Sequence, residues 1–283
     1  MGMNKLFDKL IELKFYDKSG QIQDHVKIPD TGIKPNIGIQ GNFITSSIVG
    51  NMSIRIVNFY PSVSLDQYSK IEVIAGYKES QDTATISGRI MVGYQESPSP
   101  DGVTFFSFLP CDLDAFLNTV VQIDKPKQAT KSSICQDLVD AMGWTLDFGA
   151  NDGQIVAGFN MNATVKDIMI EFKSRYKLMY DLDGTILHIY DATNGKNGPV
   201  TNINYVTSPP QASAAGITFV APWMPGLRPA MAIHIDPKYY RQNYGGAQVQ
   251  LSTTLIVQSI EFQFNTVTNQ NSMTVLALNT AEK

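Results

Sequence analysis

Along the first 122 residues the apolar positions fall two apart. In MSIRIVNF (52–59), Met52, Ile54 and Ile56 alternate with Ser53 and Arg55, the period of a strand with one buried face. Runs rich in β-branched and aromatic residues recur at 11–17, 36–48, 70–77, 83–95 and 102–112. The turn signals YPS, KESQD and SPSPDG separate them, and the Asp-Gly of the last suits a hairpin. Six antiparallel strands at this spacing predict a small barrel or sandwich.

The period then changes. In ATKSSICQDLVDAMGW, Ile134, Cys135, Leu138, Val139 and Met142 form one helical stripe, with Gly143 as the stop. NATVKDIMIEFKSRY repeats the stripe with Val165, Ile168, Met169, Phe172 and Tyr176, capped from Asn162 or Thr164. The stretch between the helices predicts a hairpin turning at 151–153, and YKLMYDLDGTILHIYD predicts a second. Residues 123–205 thus read as an α+β module. From 206 the strands resume. Ile256, Ile260, Phe262 and Phe264 are expected on one face of a long strand, with Ser259, Glu261, Gln263 and Asn265 on the other. Before it, APWMPGLRPAMAIHI (221–235) places Trp223, Met224 and Leu227 among three prolines, so a stiff apolar corner precedes a sheet.

Charge sharpens this division. The chain of 283 residues carries a formal net charge of −4, with no basic stripe to neutralise phosphates, which argues against a nucleic-acid binder. Between Arg241 and Glu282 the only charge is Glu261. Such a run is a poor solvent face for a free monomer. It reads either as a small core or, better, as an assembly interface, where charge is depleted and amides are retained. No stretch approaches the ~18 uninterrupted apolar residues of a membrane helix, and the N-terminus lacks a secretory signal pattern. Cys111 and Cys135 stand alone, as two buried thiols in a reducing compartment.

Most candidate chemistry fails on context. Asp181 and Asp183, in DLDGT, look like the nucleophile and general acid of a magnesium-dependent haloacid-dehalogenase phosphatase. That chemistry needs a loop at the carboxyl end of a parallel strand. Here ILHIY continues at once and Asp-Gly favours a hairpin. His25, His188 and His234 have no metal-ligand spacing, and no nucleophile elbow, Walker loop or dinucleotide fingerprint is present. No catalytic residue, metal site or cofactor is expected. A carbohydrate-binding module is a further alternative, but Trp144 and Trp223 are too few and too far apart to favour it.

One ordered set of motifs resembles a known family. GNMSIRIVNFYP, SKIEVIAGY and TISGRIMVGYQ, with Asn58, Ala75-Gly76-Tyr77 and Ser87-Gly88-Arg89-Ile90, are similar to the first tube domain of baseplate hub proteins of contractile phage tails, a family related to type VI secretion spike hubs. GITFVAPWMPGLRPAMAIHI and STTLIVQSIEFQFNT, with Leu227, Pro229, Ser259 and Glu261, resemble the second tube domain. The glycine that the family carries after the proline is Ala230 here.

The resemblance implies two tail-tube-like antiparallel β-barrels, 1–122 and 206–283, flanking the α+β insert 123–205 in a mainly β chain. It implies a homotrimer whose pseudo-sixfold ring adapts the hexameric tail tube to the threefold central spike. The implied partners are that spike, the tail tube or its initiator, and a tape-measure protein. DNA only passes through the lumen, and there is no membrane anchor. The implied location is the virion baseplate, assembled in the host cytoplasm. The alternative within this class is the hub of a non-contractile tail tip. Trp223, Met224, Leu227, Gln258 and Gln263 are the candidate interface residues, with the proline corner either touching a neighbour or packed on its own barrel.

Overall fold

The computed structural model describes residues 9–28, 36–44, 50–77, 82–96, 101–191, 195, 199–213, 216–236, 254–268 and 271–279. The described residues of the first segment form seven strands: β1 (Lys9–Tyr16), β2 (Ile22–Ile28), β3 (Ile37–Ile44), β4 (Met52–Val57), β5 (Lys70–Tyr77), β6 (Asp82–Glu96) and β7 (Val103–Leu109). The module comprises α1 (Leu113–Asn118), β8 (Val120–Lys125), α2 (Lys131–Met142), β9 (Thr145–Phe148), β10 (Phe159–Thr164), α3 (Val165–Tyr176), β11 (Leu178–Asp183) and β12 (Ile186–Asp191). The last segment supplies β13 (Thr201–Ile203), β14 (Ser208–Ser213), β15 (Gly216–Pro222), β16 (Ala232–Ile235), β17 (Leu255–Asn265) and β18 (Ser272–Asn279).

The protein is mainly β. The first and last segments meet where β3 pairs with β17, so both contribute to one 13-stranded sheet in the order β14-β15-β18-β17-β3-β4-β7-β6-β5-β1-β2, with β13 and β16 beside it. Alternation explains why it holds. Ile11, Leu13 and Phe15 of β1, Ile54 and Ile56 of β4, and Phe106 and Phe108 of β7 are all buried. They share one core with Phe219, Val275, Phe262 and Phe264 from the last segment. Each such side chain contributes about 1.5–3 kcal/mol on burial.

The module has its own core, built from Phe116, Ile134, Leu138, Trp144, Ile168, Phe172 and Leu187 among others. Its two long helices are built alike. Thr130 Oγ1 accepts the Ser133 N–H at 3.3 Å, and Thr164 Oγ1 accepts the Asp167 N–H at 3.2 Å, the usual N-cap contacts. Each helix runs 12 residues and ends on a left-handed residue, Gly143 (φ 70°) or Lys177 (φ 53°). The expected stripes face the module core, with Met142 and Tyr176 only half-buried at its margin.

Two local expectations are corrected. Residues 144–159 do not fold back as a hairpin: β9 pairs in parallel with β12, while β10 pairs with β8. The turn chemistry at 151–153 serves another purpose. The Asp152 carboxylate accepts the Ser132 N–H (2.8 Å) and hydroxyl (2.6 Å) at the start of α2, and the Asn151 N–H donates to Asp191 (3.0 Å). The second correction concerns β17. Its register against β18 slips between Val257 and Ser259, a bulge that reverses the facing pattern. Leu255 and Val257 therefore face the main core together with Ile260, Phe262 and Phe264. Ile256, expected on that face, packs instead near Gly195.

Candidate assembly surfaces

The proline corner leaves β15 at Pro222. Trp223 donates its backbone N–H to Asn271 (3.3 Å), and the Leu227 N–H closes a turn on the Met224 carbonyl (3.0 Å). The Trp223 ring stacks on Phe262 (centroids 5.5 Å, 16°) and meets Phe264 at 4.5 Å and Tyr77 at 6.5 Å. Trp223 is 4% exposed and Leu227 3%, while the half-buried Met224 packs on the same core. The apolar surface of these three residues is thus spent largely inside the chain, where the corner closes the core between β17 and β5. Ala230 adopts φ 64°, so the chain makes the tight turn with an alanine where glycine would be easier.

The corner is organised by a residue that no sequence motif singled out. Arg228 donates to the carbonyls of Pro225 (2.7 Å) and Leu227 (3.1 Å) and lies 4.7 Å above the Phe43 ring. Its Nε reaches Asp183 of the module at 3.5 Å. A lone cation between Gly216 and Ile235 was the available signal.

Asp181 and Asp183 lie on β11, which turns at Gly184 (φ 59°) directly into its antiparallel partner β12. That hairpin replaces the exposed loop after a parallel strand that phosphatase chemistry needs. Asp183 is committed to Arg228. Among the described residues no group of three His, Cys, Asp or Glu side chains is placed to hold a metal ion. Burial pushes the Cys111 thiol up to about 12, assisted by Asp112 and Asp183, and raises that of Cys135 as well.

Gln263 sits elsewhere, on the outer face of the sheet. Across the strands Gln263, Gln40, Ser53 and Ser107 form one row. Glu261 and Asn42 begin the row on one side, and Gly38, Arg55, Phe105 and Tyr94 make the row on the other. Two shallow grooves of about 190 and 220 Å³ run along it. Within these rows the formal charges are Arg55 and Glu261, which cancel. Tyr94 is 48% exposed and stacks on Phe105 at 5.0 Å. Gln258 is the half-buried residue of the β17 bulge. The corner and the amide face are therefore distinct places. Residues 242–253 of the charge-poor run lie outside the described residues.

No family model matches the chain, and no curated protein is similar to it in sequence. Solved structures are. The 43 kDa tail protein of prophage MuSo2 from Shewanella oneidensis aligns with a TM-score of 0.61 at 10% identity, covering 96% of this chain and 98% of that one. A tail protein of Neisseria meningitidis MC58 gives 0.60 at 9% identity, over 96% and 97%. The chain has the fold of these tail proteins. An E. coli type VI secretion component, itself described as structurally similar to the T4 phage tail proteins gp27 and gp5, gives 0.58 at 9% identity, over 89% and 76%. Among the described residues no helix is long and apolar enough to cross a membrane.

Proposed function

We propose that the chain is the structural hub of a phage-type contractile tail. Three copies form a ring between the tail tube and the central spike, and the ring belongs to the virion baseplate. The observation that carries this reading is the near end-to-end likeness to two tail proteins, 96% of this chain against 97–98% of theirs. The two β segments, 1–122 and 206–283, act as quasi-equivalent units, so three chains place six around one axis. The module 123–205 decorates the outside.

The outer amide face of β17, β3, β4 and β7 suits a lumen lining. It is polar, only shallowly grooved and uncharged in sum, with Glu261 offsetting Arg55, so it suits passage of DNA or a tape-measure protein without the grip on phosphates that a net basic lining would give. Three copies of a −4 chain carry −12, the same sign as the cargo DNA. In the alternative, the hub of a non-contractile tail tip, the same ring would carry a tip rather than a spike.

The test is mass in solution at several concentrations, with and without the cognate spike. A trimer on the spike is expected, and a monomer in its presence overturns the proposal. Gln263→Lys adds three positive charges to the lumen of a trimer. It is expected to leave folding and trimer mass unchanged while slowing DNA release from reconstituted particles at low salt. Loss of the trimer instead would move Gln263 into the contact between copies.

A further inference from the structure

A gap in the sheet lies where the first segment meets the module. β6 serves two partners in turn. Its first half pairs with β5, from Asp82 opposite Tyr77 to Arg89 opposite Lys70. β7 joins only from Arg89 opposite Leu109 onward. The Ile90 N–H donates to the Ser69 carbonyl at 2.9 Å and so faces the β5 side. By antiparallel alternation the backbone groups of Gly88, Ile86 and Ala84 also face β5, and those of Ser87, Thr85 and Thr83 face away from it. Among the described residues no strand is in register with that side. β7 cannot continue there, because its chain is diverted at Cys111, which bridges to Gly184 in the module. What remains is a cavity of about 760 Å³, lined by Thr85 and Ser87 on one wall and Asp112, Thr185 and Ile186 on the other.

This edge differs from those at the two ends of the main strand order. Sheets blunt free edges with proline, charge or bulges. β14, at one end of the sheet, carries Pro209 and Pro210; β2, at the other, carries His25 and Lys27, both on Glu12. The stretch 83–88, Thr-Ala-Thr-Ile-Ser-Gly, carries none of these devices. Its outward side chains are small hydroxyls that suit a strand neighbour.

We propose that this gap is a strand-addition site for an extended, carboxylate-bearing segment of another polypeptide. The charge of the walls selects the occupant. Arg89 is already paired with Asp114, and Asp183 with Arg228. Lys18 and Lys70 line the same gap with no carboxylate partner among the described residues, Lys70 lying 5.5 Å from the Tyr16 ring. Asp112 on the same lining only caps α1 through the Ala115 N–H, so two lysines stand against one carboxylate and the unspent charge is positive by one. Five edge residues, 83–87, span about 17 Å, enough for a segment of about five residues held by main-chain hydrogen bonds. The site stands independently of the proposed hub role, since it rests only on the edge, the gap and the two lysines.

The test uses the full chain and two fluorescent probes, Ac-Thr-Glu-Val-Glu-Val-Thr-NH2 and its Lys-for-Glu counterpart, followed by anisotropy. The acidic probe is expected to bind at least tenfold more tightly, with the order reversed by Lys18→Glu combined with Lys70→Glu. Thr85→Pro removes an N–H aimed into the gap and leaves the β5–β6 ladder intact, since edge positions accept proline there. It is expected to weaken binding at least tenfold. In the wild-type chain, hydrogen exchange at Thr83, Thr85 and Ser87 should slow at least tenfold with the acidic probe. No binding at millimolar probe, equal affinity for both probes, or unchanged exchange at these amides would each overturn the site, and the exchange reading does not depend on any variant folding.

Discussion

Trp223→Ala tests whether the proline corner closes the core. The ring is 4% exposed, stacked on Phe262 and tilted against Phe264 at 4.5 Å. Truncating a buried Trp removes its transfer free energy and leaves a cavity that a rigid, proline-flanked turn cannot collapse into, so the cost should be about 3–5 kcal/mol. Domains are typically stable by about 5–15 kcal/mol, so this is a large share. At a urea m-value of roughly 3 kcal/mol/M the midpoint moves down by about 1–2 M. The assay has a built-in control, because the two tryptophans lie in different cores: Trp223 in the large β core and Trp144 in the module. In the variant, Trp144 fluorescence reports the module and far-UV circular dichroism reports the strands. A strand transition displaced by less than about 1 kcal/mol would refute the reasoning, and would return Trp223 to a role at a surface.

Thr104 is 0% exposed, and its hydroxyl has no hydrogen-bond partner among the described residues, so Thr104→Val should stabilise by about 1 kcal/mol in urea unfolding; a loss of that size would mean the hydroxyl is satisfied. At Ala230, glycine relieves about 1–2 kcal/mol of left-handed strain but loses a buried methyl and loosens the unfolded chain, so Ala230→Gly should be nearly neutral. Ala230→Val, β-branched and fully buried, should cost about 2 kcal/mol or more by the same measurement. Burial acts to raise the Glu12 carboxyl, but hydrogen bonds from His25 and Lys27 and the charges of Lys27 and Lys14 outweigh it, and the pKa falls below its usual 4.5. The stability it contributes is therefore full above pH 4.5 and lost as pH falls through the lower folded value. The acid limb of a stability-versus-pH curve should be flatter in Glu12→Gln, and an unchanged limb would show that the pairs contribute nothing.

The strands with one dry face were legible because alternation is a local property, as with Met52, Ile54 and Ile56. The edge strand β2 was not, since Gln23, Asp24, His25 and Lys27 give it no apolar period. The helices were legible down to Thr164 as a cap. The fate of β9 and β10 was not, because Asn-Asp-Gly serves a turn and a side-chain cap equally well, and only tertiary pairing decides. The phase reversal in β17 has no glycine or proline to announce it, so the two halves of one apolar run were read as one face. Trp223 was ambiguous for a deeper reason: interface centres and domain cores use the same residues, and Tyr77 and Phe262 are distant in sequence.

Arg228 explains why the proline corner keeps one cation. Pro222, Pro225 and Pro229 stiffen the corner, but each supplies a carbonyl and no N–H. A turn folded onto a core from such residues is short of donors, and carbonyls left unpaired there carry the desolvation cost of a buried polar group. A guanidinium brings five donors on one side chain. Two of its contacts go to the carbonyls of Pro225 and Leu227 and one to Asp183, whose carboxylate offsets the charge, while its plane lies over Phe43. Asp183, which the sequence offered as half of a catalytic pair, thereby becomes the point at which the module is fastened to the corner. The same ion pair leaves the neighbouring gap with its lysines unspent, so the demand of a donor-poor turn also sets the charge that the strand-addition site presents.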